Sequence, residues 1–196
     1  MSIREKALAY LRTNPLRHLV HLKYLNLYAE TVELHYVESG ASVGVLLSHP
    51  TEAITWDIAA YPQTQQVFLP AASDEKAAAL LVEKVNHLVT STKECVFKFC
   101  DPMTTAVFGR AFPMRFMKAL LSYTTAQMQP DWTDDGVTIT SELDDACLPL
   151  YLTNGYTEAE LCKLFDSGAL PFTIYEADRP VCTCLTYPNS DTIWEI

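Results

Sequence analysis

The chain has 196 residues, 49% of them hydrophobic and 19% charged, the make-up of a packed globular protein of one or two domains, which excludes a disordered chain. Its formal net charge of −10 repels phosphate backbones and anionic lipid headgroups, so nucleic acid and membrane are excluded as expected partners and cationic small molecules such as amines are favoured. The charged opening segment is no signal peptide and no apolar run reaches the ~20 residues of a membrane span, so the expected location is the cytoplasm, with thiols reduced.

In chain order, residues 3–13 (IREKALAYLRT) and 15–28 (PLRHLVHLKYLNLY) carry apolar residues at helical spacing, with Asn14 as a cap and Pro15 at the first helical position. Four runs then read as strands: 32–38, 42–49, 54–61 and 65–71, with Ser39-Gly40-Ala41 and Pro50-Thr51-Glu52 between them, which predicts an antiparallel meander. Ser73 opens a helix over 74–89, with Asp74 and Glu75 in its first turn and Ala78, Leu81, Val82 and Val85 on one stripe. A strand over 94–99, a helix near 102–111 and a segment 116–126 ending as a strand follow. This order predicts an α+β fold with helices flanking a mixed, mostly antiparallel sheet.

The polar, turn-rich stretch around QMQPDWTDDGVTI places a linker at 128–140. Beyond it, 142–152 reads as a loop and short helix, Asn154-Gly155 as a turn, and Thr157-Glu158-Ala159-Glu160 as a capping box for a helix ending at Gly168. FTIYEAD (172–178) and PVCTCLTY (180–187) form a hairpin, and TIWEI opens a further strand in which the chain stops.

Few residue patterns carry chemistry on their own. The cysteines Cys95, Cys100, Cys147, Cys162, Cys182 and Cys184 sit mostly in apolar runs and lack the paired C-x-x-C spacing of a zinc site, so no metal is expected. His18 and His21 share a helix face without an acidic or thiol partner at ligand spacing. His49 and Asp57 can meet across neighbouring strands, but no serine or cysteine in a G-x-S-x-G elbow gives such a pair a nucleophile to serve.

From about Leu148 to Ile196, the helix pair, the hairpin FTIYEADRPVCTCLTYP and the strand TIWEI resemble the opening half of a GNAT (general-control-type N-acetyltransferase) domain. Residues 1–127 resemble the degenerate, cofactor-free first domain of tandem members. The resemblance implies a degenerate domain over 1–127, the linker 128–140 and a truncated GNAT domain over 141–196. It also implies transfer of an acetyl group from acetyl-CoA to an amine in the complete form. Members hold the cofactor's pyrophosphate in a Q/R-x-x-G-x-G/A loop at a helix N-terminus. This sequence has no such loop, so no acetyl-CoA binding or catalysis is expected of the chain itself. By the same resemblance Glu195 is the candidate general base, its pKa raised by burial beside Trp194, and Tyr151, Tyr175 and Trp194 are candidates for lining an acceptor cleft. A second reading is a non-catalytic binding or scaffold module that forms a homodimer through the open edge of its last strand.

Overall fold

The computed structural model describes residues 1–89, 94–118, 136–190 and 193–195, and the chain divides into two compact units, Met1–Met114 and Arg115–Ile196. In unit 1, Ser2 and Glu5 cap each other's backbone amides and start helix α1 (Ile3–Leu11). Helix α2 (Leu19–Leu27) begins four residues later than Pro15 suggests. The Asn14 side chain accepts from the Arg17 amide and its carbonyl from His18, so residues 14–18 close as a turn.

Strands β1 (Glu33–Ser39), β2 (Ser42–Pro50) and β3 (Gln66–Ala72) form an antiparallel meander. Helix α4 (Glu75–Leu88) then crosses over to β4 (Cys95–Phe97), which lies parallel to β3. The expected strand 54–61 is instead helix α3 (Thr55–Ala60). Ile54 and Asp57, three residues apart, are buried, while Trp56 and Ile58 are exposed, so inward positions recur at helical and not at strand spacing. Helix α5 (Pro102–Ala111) starts on an Asp101 cap with Pro102 at its first position.

The alternation of the sheet divides the core of unit 1 in two. Val45, Leu47, Val67, Leu69 and Ala71 face one way, against Ala7 and Leu11 of α1 and Leu22, Tyr24 and Leu25 of α2. Leu46, Phe68 and Ala72 face the other way, against Ala77, Ala78, Leu81 and Val85 of α4 and Val107 and Phe108 of α5. Gly44 lets α4 approach: a Cβ there would lie 2.8 Å from Val37 Cγ2 and 3.0 Å from Leu81 Cγ.

Unit 2 is an antiparallel sheet in the order β5 (Val137–Ile139), β6 (Leu170–Glu176), β7 (Arg179–Ser190), β8 (Ile193–Glu195). Strand β5 occupies part of the expected linker, because Val137, Thr138 and Ile139 pair with Ile174, Thr173 and Phe172. The rest of that linker up to 135, and the end of the strand expected over 116–126, lie outside the described residues. Between β5 and β6 run a short 3-10 turn (Asp145–Cys147), α6 (Leu148–Thr153) and α7 (Glu158–Asp166), the last opened by the Thr157–Glu160 capping box. The β6–β7 hairpin turns on Ala177 and Asp178, both at positive φ (47° and 62°), the signature of a type I′ turn.

The whole molecule is thus α+β, but its charge is unevenly shared. Unit 1 holds eleven Asp and Glu against ten Lys and Arg, a net of −1, whereas unit 2 holds thirteen against four, a net of −9.

Candidate functional site

The densest concentration of ionisable groups lies inside unit 1. Helix α3 turns the Asp57 carboxylate inward, where Tyr24 of α2 donates to Oδ2 at 2.9 Å and the Lys98 ammonium, just past β4, donates to Oδ1 at 2.5 Å. Lys98 also donates to the Tyr24 hydroxyl and stands over the Tyr24 and Tyr61 rings, 4.9 and 5.8 Å from their centroids. His49, at the end of β2, brings Nε2 to 3.2 Å from Asp57 Oδ2 at an angle that makes an ion-pair approach and not a hydrogen bond. His49 Nδ1 lies 2.8 Å from the Pro50 carbonyl. A carbonyl only accepts, so Nδ1 carries hydrogen. The sequence expectation of a His49–Asp57 pair is met in space, but through a strand end and a helix.

Burial pushes the Asp57 carboxyl up, and the neighbouring His49, the hydrogen bonds from Lys98 and Tyr24 and the Lys98 charge more than offset it, so its pKa falls below the usual carboxylate value. Burial, then the Asp57 charge, raises the Tyr24 phenol. His49 and Asp57 are essentially closed to solvent and every oxygen of Asp57 has a partner. The cluster therefore ties α2, β2, α3 and the end of β4 together, with both Asp57 oxygens already engaged. Lys98 and Tyr24 were missed in the sequence. A lysine between two aromatics in the strand-like run VFKF was the available signal, since a lysine buried there needs an anion.

A second constellation neighbours it. His21 Nε2 donates to the Leu69 carbonyl at 3.1 Å, so Nδ1 is the acceptor facing Cys100 Sγ, 3.8 Å away. This is the layout of a thiol beside an oriented base, but its protonation is wrong for a nucleophile. Burial pushes the thiol up to about 11 and the imidazole down to about 4, so the pair stays neutral at pH 7. Arg17 closes the rim with a 3.1 Å ion pair to Asp101. Among the described residues no group of three or more His, Cys, Asp or Glu could hold a metal ion, and no helix is long and apolar enough to cross a membrane.

In unit 2, Tyr151 and Tyr175 join one polar network on one face of the sheet. Tyr175 donates to Asp144 Oδ2 at 2.5 Å, Cys147 Sγ lies 3.8 Å from the Tyr175 hydroxyl and 3.9 Å from that of Thr173, and Thr173, Thr183 and Tyr151 follow at 3.0 and 2.8 Å. The hydrogen bond to Asp144 raises the Tyr175 phenol and lowers the Asp144 carboxyl. Trp194 does not join them. It pairs with Pro188, in alternation with Thr183 and Tyr187, which sets it on the opposite face, half-exposed. Glu195 lies on β8 opposite Tyr187; its side chain is outside the described residues. The three aromatics therefore do not line one cleft.

At the start of α4 a strand, β3, runs into a helix N-terminus, the setting in which backbone amides hold a phosphate. Here the Asp74 carboxylate accepts from the Ala77 amide at 2.8 Å and Glu75 follows in the first turn. That hydrogen bond holds the Asp74 carboxyl below its usual value, so the amide end is already filled by a fixed negative charge. Compared with protein-family models, curated proteins and solved structures, the chain has no match.

Proposed function

We propose that the chain is a non-catalytic relative of the GNAT acyltransferases, built from two related units and acting by binding. The observation that carries the reading is a partial likeness of the units: the helix pair α1 and α2 precedes the antiparallel strands β1, β2 and β3, with α3 inserted between β2 and β3, and after β5 the helix pair α6 and α7 precedes β6, β7 and β8. Unit 1 continues this order through α4 and β4. A complete member would transfer acetyl from acetyl-CoA to an amine, and the acidity of unit 2 suits a cationic acceptor.

Loss of catalysis in this chain is supported by the α4 N-terminus, where Asp74 takes the amide that an incoming pyrophosphate would need and repels it by charge. It is supported as well by the closed state of the two ionisable clusters, which leave no base directed at a substrate. Calorimetric titration with acetyl-CoA, paired with a thiol-release assay on a panel of primary amines, tests the proposal. The expected result is no heat and no free CoA above the uncatalysed rate. Micromolar binding with turnover would overturn the non-catalytic reading.

A further inference from the structure

The sheet of unit 2 has two unlike faces. One carries Thr173 and Thr183, meeting Cys147 and Tyr151 from the segment before β6. On the other, Ile139, Phe172 and Cys184 stand in one cross-strand row and Val137, Ile174 and Cys182 in the next, with Pro188 and Trp194 continuing the face toward β8. Ile139, Ile174 and Trp194 are 52%, 42% and 49% exposed, and both thiols are exposed. Apolar side chains aligned over four strands make a contiguous patch, the kind of surface that marks an interaction site.

Unit 1 indicates what such a face receives. There the face turned away from the α1–α2 pair is covered by α4, through the stripe Ala77, Ala78, Leu81 and Val85. The surroundings in unit 2 add a condition of charge: with a net of −9, an approaching segment is favoured when it is cationic, and a second copy of the chain is disfavoured.

From a face that none of the described helices covers, its covered counterpart and the charge, we infer that the Ile139–Phe172–Ile174–Cys184–Trp194 face docks an amphipathic helix of another polypeptide, apolar along one stripe and basic on its remaining surface. The docked helix lays its stripe across β5, β6 and β7 as α4 does in unit 1, and its lysines or arginines are favoured by the net negative charge of unit 2. This inference stands apart from the acyltransferase relationship, since it uses only the two faces and the charge.

The test uses the full chain and a labelled synthetic helix of about 18 residues, long enough for about five turns, with an Ala/Leu stripe and lysines elsewhere. A scrambled peptide of identical composition is the control. Expected are saturable 1:1 binding in fluorescence anisotropy, a blue shift of tryptophan emission that disappears in Trp194→Phe, and slowed maleimide labelling of Cys182 and Cys184. Ile174→Lys, at an exposed position, weakens binding about tenfold, the scale of losing one central apolar contact. Leu152→Lys, at an exposed apolar position on α6, leaves it unchanged. Equal binding of the scrambled peptide would reduce the effect to charge alone and overturn the inference. Thiols protected before any peptide is added would overturn it too, with a dimeric light-scattering mass assigning the face to a second copy and a monomeric mass to the chain's own residues.

Discussion

Both units set a helix pair before antiparallel strands, with β5 ahead of the pair in unit 2 and α3 between the strands in unit 1, and they differ in how they treat their sheets. In unit 1 every second residue of β2 and β3 enters a different core, one under α1 and α2 and one under α4 and α5, so the strands read as nearly continuous apolar runs, SVGVLLSH and QVFLPAA. In unit 2 the strands alternate: Thr173 and Leu185 are buried while Ile174, Cys182 and Cys184 face solvent. The sheet of unit 1 is covered on both faces, whereas none of the described helices covers the second, apolar face of the unit 2 sheet. Unit 1 also buries an ionised cluster around Asp57, while the sequence of unit 2 carries the excess of carboxylates.

The sharpest way to break the comparison is to remove a side chain from each kind of face. Phe68→Ala empties a fully buried position beneath α4 and should cost about 4 kcal/mol in urea unfolding. A loss below about 1 kcal/mol would show that the second layer of unit 1 is not closed as described. Asp57→Ala leaves Lys98, His49 and the Tyr24 hydroxyl without their shared acceptor, and a loss of about 3 kcal/mol is expected. If the same substitution left stability unchanged, the cluster would not be what joins α2, α3 and β4.

Acid should distinguish the interior of unit 1 as well. His21 is neutral when folded, with its pKa lowered by burial to about 4, while the unfolded chain takes up that proton near the ordinary value of 6.5. A depressed folded pKa means that this stabilising contribution is complete above about 6.5 and is lost as the pH falls toward 4, by about 3 kcal/mol over that window. His18 and His35, also lowered by burial, add to the same slope. Urea midpoints measured from pH 7 to pH 4 should fall steeply for the natural chain and less steeply for His21→Gln. Parallel slopes would remove His21 as the source. A smaller effect of 1–3 kcal/mol is expected from Gly44→Ala, whose new methyl would press on Val37 and Leu81 at the closest approach of α4 to the sheet. Tolerance of alanine there would mean that α4 can lift without loss.

Much of this architecture is legible in the residues. The helix over 75–88, the Thr157–Glu160 capping box and the Ala177–Asp178 hairpin follow from local chemistry that nothing later in the fold contradicts. The segment 54–61 misleads because Ile54, Trp56, Ile58 and Ala60 alternate like a strand, while the position that enters the interior is Asp57, and it does so for partners 33 and 41 residues away. Strand β5 is hidden for the opposite reason: its three residues have no pattern until β6 supplies a partner. The His49–Asp57 proximity was accessible as a bare coincidence of sequence, but Tyr24 and Lys98, which hydrogen-bond the Asp57 carboxylate, come from separate elements. The two faces of the unit 2 sheet were written in the alternation of FTIYEAD and PVCTCLTY, yet which of them is bare depends on where α6 sits.

The smallest expected effect bears most directly on the contrast between the units. Ile174 projects from the uncovered face, so Ile174→Thr removes no buried contact and keeps a β-branched residue on the strand. Unfolding should shift by no more than about 0.5 kcal/mol, the range of ordinary surface substitutions. Solubility should rise, since the change shortens an exposed apolar row between Val137 and Cys182. A loss comparable with Phe68→Ala would mean that Ile174 is buried in the protein in solution. In that case unit 2 would be a two-sided layer like unit 1, and the difference between the units would lie in what covers the sheet and not in whether it is covered.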